Sequence, residues 1–88
     1  MSGESPLPTV TLYGRQGCHL CEEARRELVA LQGGGARFSL VEIDIETDER
    51  LHRMMLERIP VVEVEGEQVC DLLFEPDAVL ARIDTVSA

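Results

Sequence analysis

Lysine and tryptophan are absent from this 88-residue chain, and aromatic side chains are limited to Tyr13, Phe38 and Phe74. The core must therefore be aliphatic, filled by Leu, Val, Ile and Met. The basic residues are eight arginines against seventeen acids, a formal net charge of −9. So negative a surface repels phosphate backbones and anionic lipid headgroups, so neither nucleic acid nor a membrane is expected as a partner. No apolar run comes near the ~20 residues that a bilayer span needs. Met1 to Pro8 holds neither a basic nor an apolar stretch, so no secretory signal is visible and a cytoplasmic location is expected. Cysteine is sparse and odd in number: Cys18, Cys21 and Cys70. Without an export signal, that count disfavours a framework of structural disulfides and favours a redox-active or metal-binding pair.

What is present suffices for one domain. Hydrophobic residues make up 44% and charged residues 28%, a globular composition. A chain of this length buries only about 60–65% of its unfolded surface, enough for one small core. Residues 1–7 read as a flexible leader and residues 8–88 as the folded domain.

Thr9 to Tyr13 is β-branched and aromatic and reads as a strand, broken by Gly14 to Gly17. From Cys18 to Leu31, the spacing of Leu20, Ala24, Leu28 and Leu31 traces one helical face, and Gly33–Gly35 stops the helix. Arg37 to Ile45 reads as a second strand, with Val41, Ile43 and Ile45 alternating with Glu42 and Asp44. Thr47 is expected to cap a second helix, buried through Leu51, Met54, Met55 and Ile59 and ended by Pro60. Val61–Val64 and Gln68–Leu73 read as strands joined at Glu65-Gly66, where a tight hairpin needs positive φ. Pro76 opens a last helix facing inward through Val79, Leu80, Ile83 and Val86. The order β-α-β-α-β-β-α predicts an α/β fold. The first two strands must be parallel, because a helix connects them, and the last two antiparallel. The sheet is then mixed and four-stranded, with helices on both faces.

Cys18-His19-Leu20-Cys21 places a C-x-x-C where a strand, a glycine break and a helix start follow in order. A helix N-terminus carries unpaired N–H groups and partial positive charge, which stabilise a thiolate and lower its pKa. Cys18 should be the exposed nucleophile. Cys21, one turn on, can resolve a mixed disulfide by closing a ring on Cys18. His19 and Arg15 are cations that would favour the thiolate, whereas Glu22 and Glu23 oppose it. The other reading of His19 is an exposed residue at a helix start. Half of a structural zinc site is the other reading of the cysteine pair, but no second ligand pair of suitable spacing follows. Cys70 also has two readings: a small hydrophobe on a strand, or a redox partner or metal ligand. His52, Arg53 and Arg58 read by default as a solvated helix face, with Arg58, beside Pro60, the one candidate to meet an anionic substrate.

Two segments carry a family resemblance. Thr11-Leu12-Tyr13 with Arg15 and the Cys18/Cys21 pair is the first, and Ile59-Pro60 followed by Val61 to Gly66 the second. From about Thr9 to Ile83 the chain resembles the glutaredoxins and glutaredoxin-like proteins of the thioredoxin superfamily. The resemblance implies the thioredoxin (glutaredoxin-like) fold, a cis Ile59–Pro60 bond against the redox pair, and an Ile59 backbone open to an extended substrate. It also implies that Arg15 can meet a carboxylate of glutathione. The family's Gly-Gly pair, which holds the γ-glutamyl end, falls on Cys70-Asp71. Its usual proline after the first cysteine is His19, its aromatic before the second is Leu20, and its threonine before the apolar-proline step is Arg58. Arg15, His19, Ile59, Pro60 and Asp71 are thereby the candidate substrate-binding residues, beside catalytic Cys18 and Cys21.

The expected function is thiol–disulfide oxidoreduction on proteins or small thiols, with glutathione or a thioredoxin-type partner as reductant and no resident cofactor or metal. The alternative is a module that binds and delivers a metal or an iron–sulfur cluster.

Overall fold

β1 (Thr9–Gly14) lies inside a four-stranded sheet of order β2-β1-β3-β4 in the computed structural model, which describes residues 7–87. The leader expected at 1–7 falls, apart from Leu7, outside the described residues. The other strands are β2 (Ser39–Asp44), β3 (Val61–Val64) and β4 (Glu67–Asp71); the helices are α1 (His19–Gly33), α2 (Glu49–Met55) and α3 (Pro76–Ser87). β2 runs parallel to β1, β3 antiparallel to β1, and β4 antiparallel to β3. The order and the mixed sheet are those the sequence predicts.

Alternation along the strands divides the buried side chains into two layers. Val10, Leu12, Val62 and Val64 meet Ala24 and Leu28 of α1 and Val79 and Ile83 of α3. On the other side, Val61 and Tyr13 meet Met55 and Leu51 of α2, together with Ile45, Ile59 and Cys21. Helices therefore cover both faces, and the cysteine pair belongs to the smaller layer. At the β3–β4 hairpin, Glu65 (φ 52°) and Gly66 (φ 83°) are both left-handed, as a two-residue turn with matching twist requires.

Several boundaries differ from the sequence reading. β2 was expected over 37–45 and β4 over 68–73. Each is limited by its partner: Thr9 pairs with Ser39 and Gly14 with Asp44, while Val61 pairs with Asp71. Past those pairs there is no strand to bond. Ile45 instead opens a single 3-10 turn, Ile45–Thr47, and Leu72 turns away at φ 63°. Val41, on the edge strand, is exposed rather than buried. The cap of α2 is Asp48, not Thr47, and the helix ends at Met55. There the Met55 carbonyl accepts from the N–H groups of both Arg58 and Ile59. Ile59 is buried but belongs to the loop after the helix, and Met54 is exposed. Leu20, expected on the inner face of α1, is 44% exposed, because its side of the helix lines an open cleft with Leu72, Leu73 and Phe74.

Candidate active site

Cys18 is the N-cap of α1, with extended backbone dihedrals of φ −89° and ψ 106°. A turn presents it: the Cys18 N–H donates to the Arg15 carbonyl (3.3 Å), and Gly17 supplies the left-handed residue at φ 80°. The Cys18 Sγ sits where a capping oxygen normally sits and accepts from the Cys21 backbone N–H at 3.2 Å. A helix N-terminal N–H aimed at sulfur is the arrangement that favours a thiolate once the pair is reduced. The two cysteines are disulfide-bonded, with Cα atoms 5.2 Å apart, inside the usual range. Cys18 is half-exposed, whereas Cys21 is only 5% exposed. Cys21 is tucked against β1, and Gly14 makes the room.

The Ile59–Pro60 peptide bond is cis, both residues are buried, and Ile59 packs in the same cluster as Cys18 and Cys21. The Ile59 backbone is only half open to a substrate, a correction to the sequence reading. Its N–H donates to the Met55 carbonyl at 3.0 Å, while its own carbonyl accepts no bond from the described residues.

The candidate polar contacts are already engaged. Arg15 Nη1 reaches Glu46 Oε2 at 3.1 Å, and His52 Nε2 lies 3.9 Å from the same oxygen. His19 is 78% exposed and pairs with Glu23 along α1 at 2.8 Å, which is its surface reading. Asp71 accepts from Arg58 Nε at 3.2 Å, and Arg58 Nη2 also meets Gln68 Oε1. Cys70 takes its hydrophobic reading: it is buried in the larger layer among Val10, Leu12 and Val62, and the cysteine pair belongs to the smaller one. Burial pushes its thiol pKa up. The Tyr13 hydroxyl donates to Glu63 Oε1 at 3.1 Å, and burial followed by that carboxylate raises its pKa. Among the described residues, no group of three or more His, Cys, Asp or Glu side chains is placed to hold a metal ion.

The family model of the Glutaredoxin-like domain (DUF836) matches residues 9–84. The chain belongs to that family. No curated protein sequence matches it. Among solved structures, it is similar to a Nitrosomonas europaea protein determined by solution NMR, at 33% identity and a TM-score of 0.76, covering 93% of this chain and 98% of that one. A protein from X. campestris follows at 30% identity and 0.64, covering 86% and 96%. A variant thioredoxin from Halobacterium salinarum, 16% identical with a TM-score of 0.66, covers 94% of this chain and 77% of that one, and shares the fold.

This glutaredoxin-like domain has site features that its sequence did not announce. Gly14 read only as a strand break, yet it sets the depth of Cys21. Leu72 and Leu73 read as the end of a strand, yet they stand exposed at 49% and 69% beside the proline loop. The Leu72 N–H ties them there, donating to the carbonyls of Arg58 and Pro60, each at 3.0 Å. A run of two leucines after a polar strand end was the available signal, and hydrophobicity alone pointed it inward. No helix among the described residues is long and apolar enough to cross a membrane.

Proposed function

We propose that the domain is a thiol–disulfide oxidoreductase that acts through Cys18 and Cys21. The observation that carries this reading is a half-exposed sulfur at a helix N-cap, bonded to a buried partner one turn away. In the reduced protein, the Cys18 thiolate attacks one sulfur of a substrate disulfide. A Cys18–substrate disulfide forms, and the other substrate sulfur leaves as a thiolate and takes up a proton. Cys21 then loses its proton and attacks Cys18, releasing the second substrate thiol and closing the Cys18–Cys21 disulfide. The two electrons gained by the substrate come from the dithiol. A low-molecular-weight thiol such as glutathione, or a thioredoxin-type reductase, restores them.

The substrates on this reading are disulfide-bearing proteins or small disulfides, in a reducing compartment such as the cytoplasm. The net charge of −9 supports neither nucleic acid nor an anionic membrane as a partner. The test is turnover of a peptide disulfide by the reduced protein. Cys18→Ser abolishes it, whereas Cys21→Ser stalls after one step and accumulates a mixed disulfide visible by mass spectrometry. A Cys18→Ser protein that still turns over would overturn the assignment.

A further inference from the structure

A cleft of about 220 Å³ lies between α1 and the segment after β4. Its apolar lining comes from Leu20, Leu72, Leu73 and Phe74, and its charged lining from Glu23 and Glu27. Its lining connects to the redox centre through the chain and one hydrogen bond. Leu20 stands between the two cysteines in sequence, and Leu72 is bonded through its N–H to the Pro60 carbonyl. Leu72 holds φ 63°, a conformation that leucine rarely adopts, and the paired hydrogen bonds to Arg58 and Pro60 hold it there. Three leucines left in solvent on a small domain form a contiguous apolar patch, the usual mark of a binding surface.

The charges around the patch have one sign. Glu23 and Glu27 lie one turn apart on α1, and no basic residue lines the cleft. Glu23 is met by His19, while Glu27 has no ion-pair partner among the described residues. The arginines around the redox centre are turned to other work, Arg15 on Glu46, Arg25 on Glu42 and Arg58 on Asp71. An anionic tripeptide such as glutathione finds no free cation here and an apolar floor it cannot use. A second copy of this acidic chain would bring like charge to the rim.

Building on the oxidoreductase reading, we propose that this cleft selects the substrate: a cysteine-bearing protein segment with an apolar side chain next to the cysteine and a basic residue beside that. The apolar side chain lies on Leu20, Leu72 and Leu73. The basic one meets Glu27, and the Ile59 carbonyl, which has no partner among the described residues, takes a backbone N–H of the segment. The attacked sulfur is thereby held over Cys18, and the electron balance is that of the reaction above.

The test uses the Cys21→Ser protein, in which the reaction stops at Cys18. The probes are short peptides activated as cysteine–pyridyl disulfides. Cys18 bonds to the peptide sulfur, the peptide–pyridyl S–S bond breaks, and pyridine-2-thione leaves and is followed by absorbance. Each rate is divided by the rate with neutral 2,2′-dithiodipyridine, which cancels the intrinsic reactivity of Cys18. A peptide with leucine and lysine beside its cysteine should react about tenfold faster than one with alanine and glutamate, the gain expected from partly burying one leucine. Leu73→Ala and Leu20→Ala should each bring that ratio towards one. Glu27→Lys should reverse the preference for lysine over glutamate.

Equal normalised rates for all peptides would overturn the cleft proposal and leave the oxidoreductase reading intact. A glutathionyl–pyridyl probe that outruns the leucine–lysine peptide would do the same and assign the site to glutathione. Self-association abolished by Leu73→Glu would assign the cleft to a second copy and overturn the proposal. A Cys18 no faster than an unstructured thiol towards 2,2′-dithiodipyridine would overturn both readings.

Discussion

At position 14 even a methyl group would collide with the redox centre. A Cβ built on Gly14 falls 3.0 Å from the Cys21 Cβ and 3.1 Å from its Sγ. Neither atom can give way freely, since Cys21 is buried against the sheet. Gly14→Ala should therefore cost about 1–3 kcal/mol of stability, the usual range for overpacking, read from urea unfolding of the oxidised protein. It should also slow ring closure, because Cys21 must shift relative to Cys18. Wild-type stability in the variant would show that the contact is relaxed. Cys70 makes a different residue-scale prediction. Burial raises its pKa above the ordinary 9.0; a hydrogen bond with the Glu75 backbone opposes the rise, and the Glu75 and Asp71 charges add to it. The native thiol then stays protonated where the unfolded one ionises. Its contribution to stability is full below the unfolded value and is lost as pH rises through the higher folded value. Urea unfolding of the oxidised protein at about pH 8 and about pH 10 should show a fall in stability that is smaller in Cys70→Ala. Tyr13, also raised, acts with the same sign at higher pH and is common to both proteins. An equal fall in wild type and variant would remove Cys70 as a cause.

Elements show where the sequence was legible and where it was not. Glycine and proline punctuate this chain clearly, so element types and their order followed from pattern alone. The cysteine pair was legible for the same reason: C-x-x-C between a strand break and a helical face leaves the first cysteine at the N-cap. The ends of elements were not legible, because they are set by partners and not by composition. β4 continues into two leucines by any hydrophobicity count, yet β3 starts at Val61, and Leu72 turns off the ladder to donate to the Pro60 and Arg58 carbonyls. The start of α2 shows the same limit. Thr47 and Asp48 are both good capping residues, and the preceding 3-10 turn decides between them. It uses Thr47, whose hydroxyl donates to the Asp44 carbonyl at 2.7 Å, and leaves Asp48 to accept from Arg50 and Leu51 N–H at 2.8 and 3.2 Å. With only seven residues, α2 depends heavily on that cap. Asp48→Ala should destabilise the fold by about 1 kcal/mol, and Thr47→Ala by less, both measured by urea unfolding. The reverse order would return the cap to Thr47.

Across the whole molecule, acidity is the property that bears on which disulfides approach the site. Seventeen acids accompany eight arginines, and the arginines around the redox centre are held by Glu46, Glu42 and Asp71. The field that an approaching disulfide meets is therefore negative, and it acts on substrates before any contact forms. Two small disulfides of opposite charge isolate this effect: dicationic cystamine and anionic oxidised glutathione. Taking the ratio of their rates with one reduced protein cancels the reactivity of Cys18, and dividing by the same ratio for an unstructured neutral thiol removes the difference between the two leaving groups. At low ionic strength cystamine should react about tenfold faster, within the range that steering provides. Salt discriminates between the field and a contact. The screening length shrinks from about 10 Å at 0.1 M to about 3 Å at 1 M, so a ratio set by the field should fall steeply across that span. A ratio fixed by close contacts would persist. Should oxidised glutathione react faster at low salt, a local cation must outweigh the net charge, and Arg15 released from Glu46 would be the residue to substitute next.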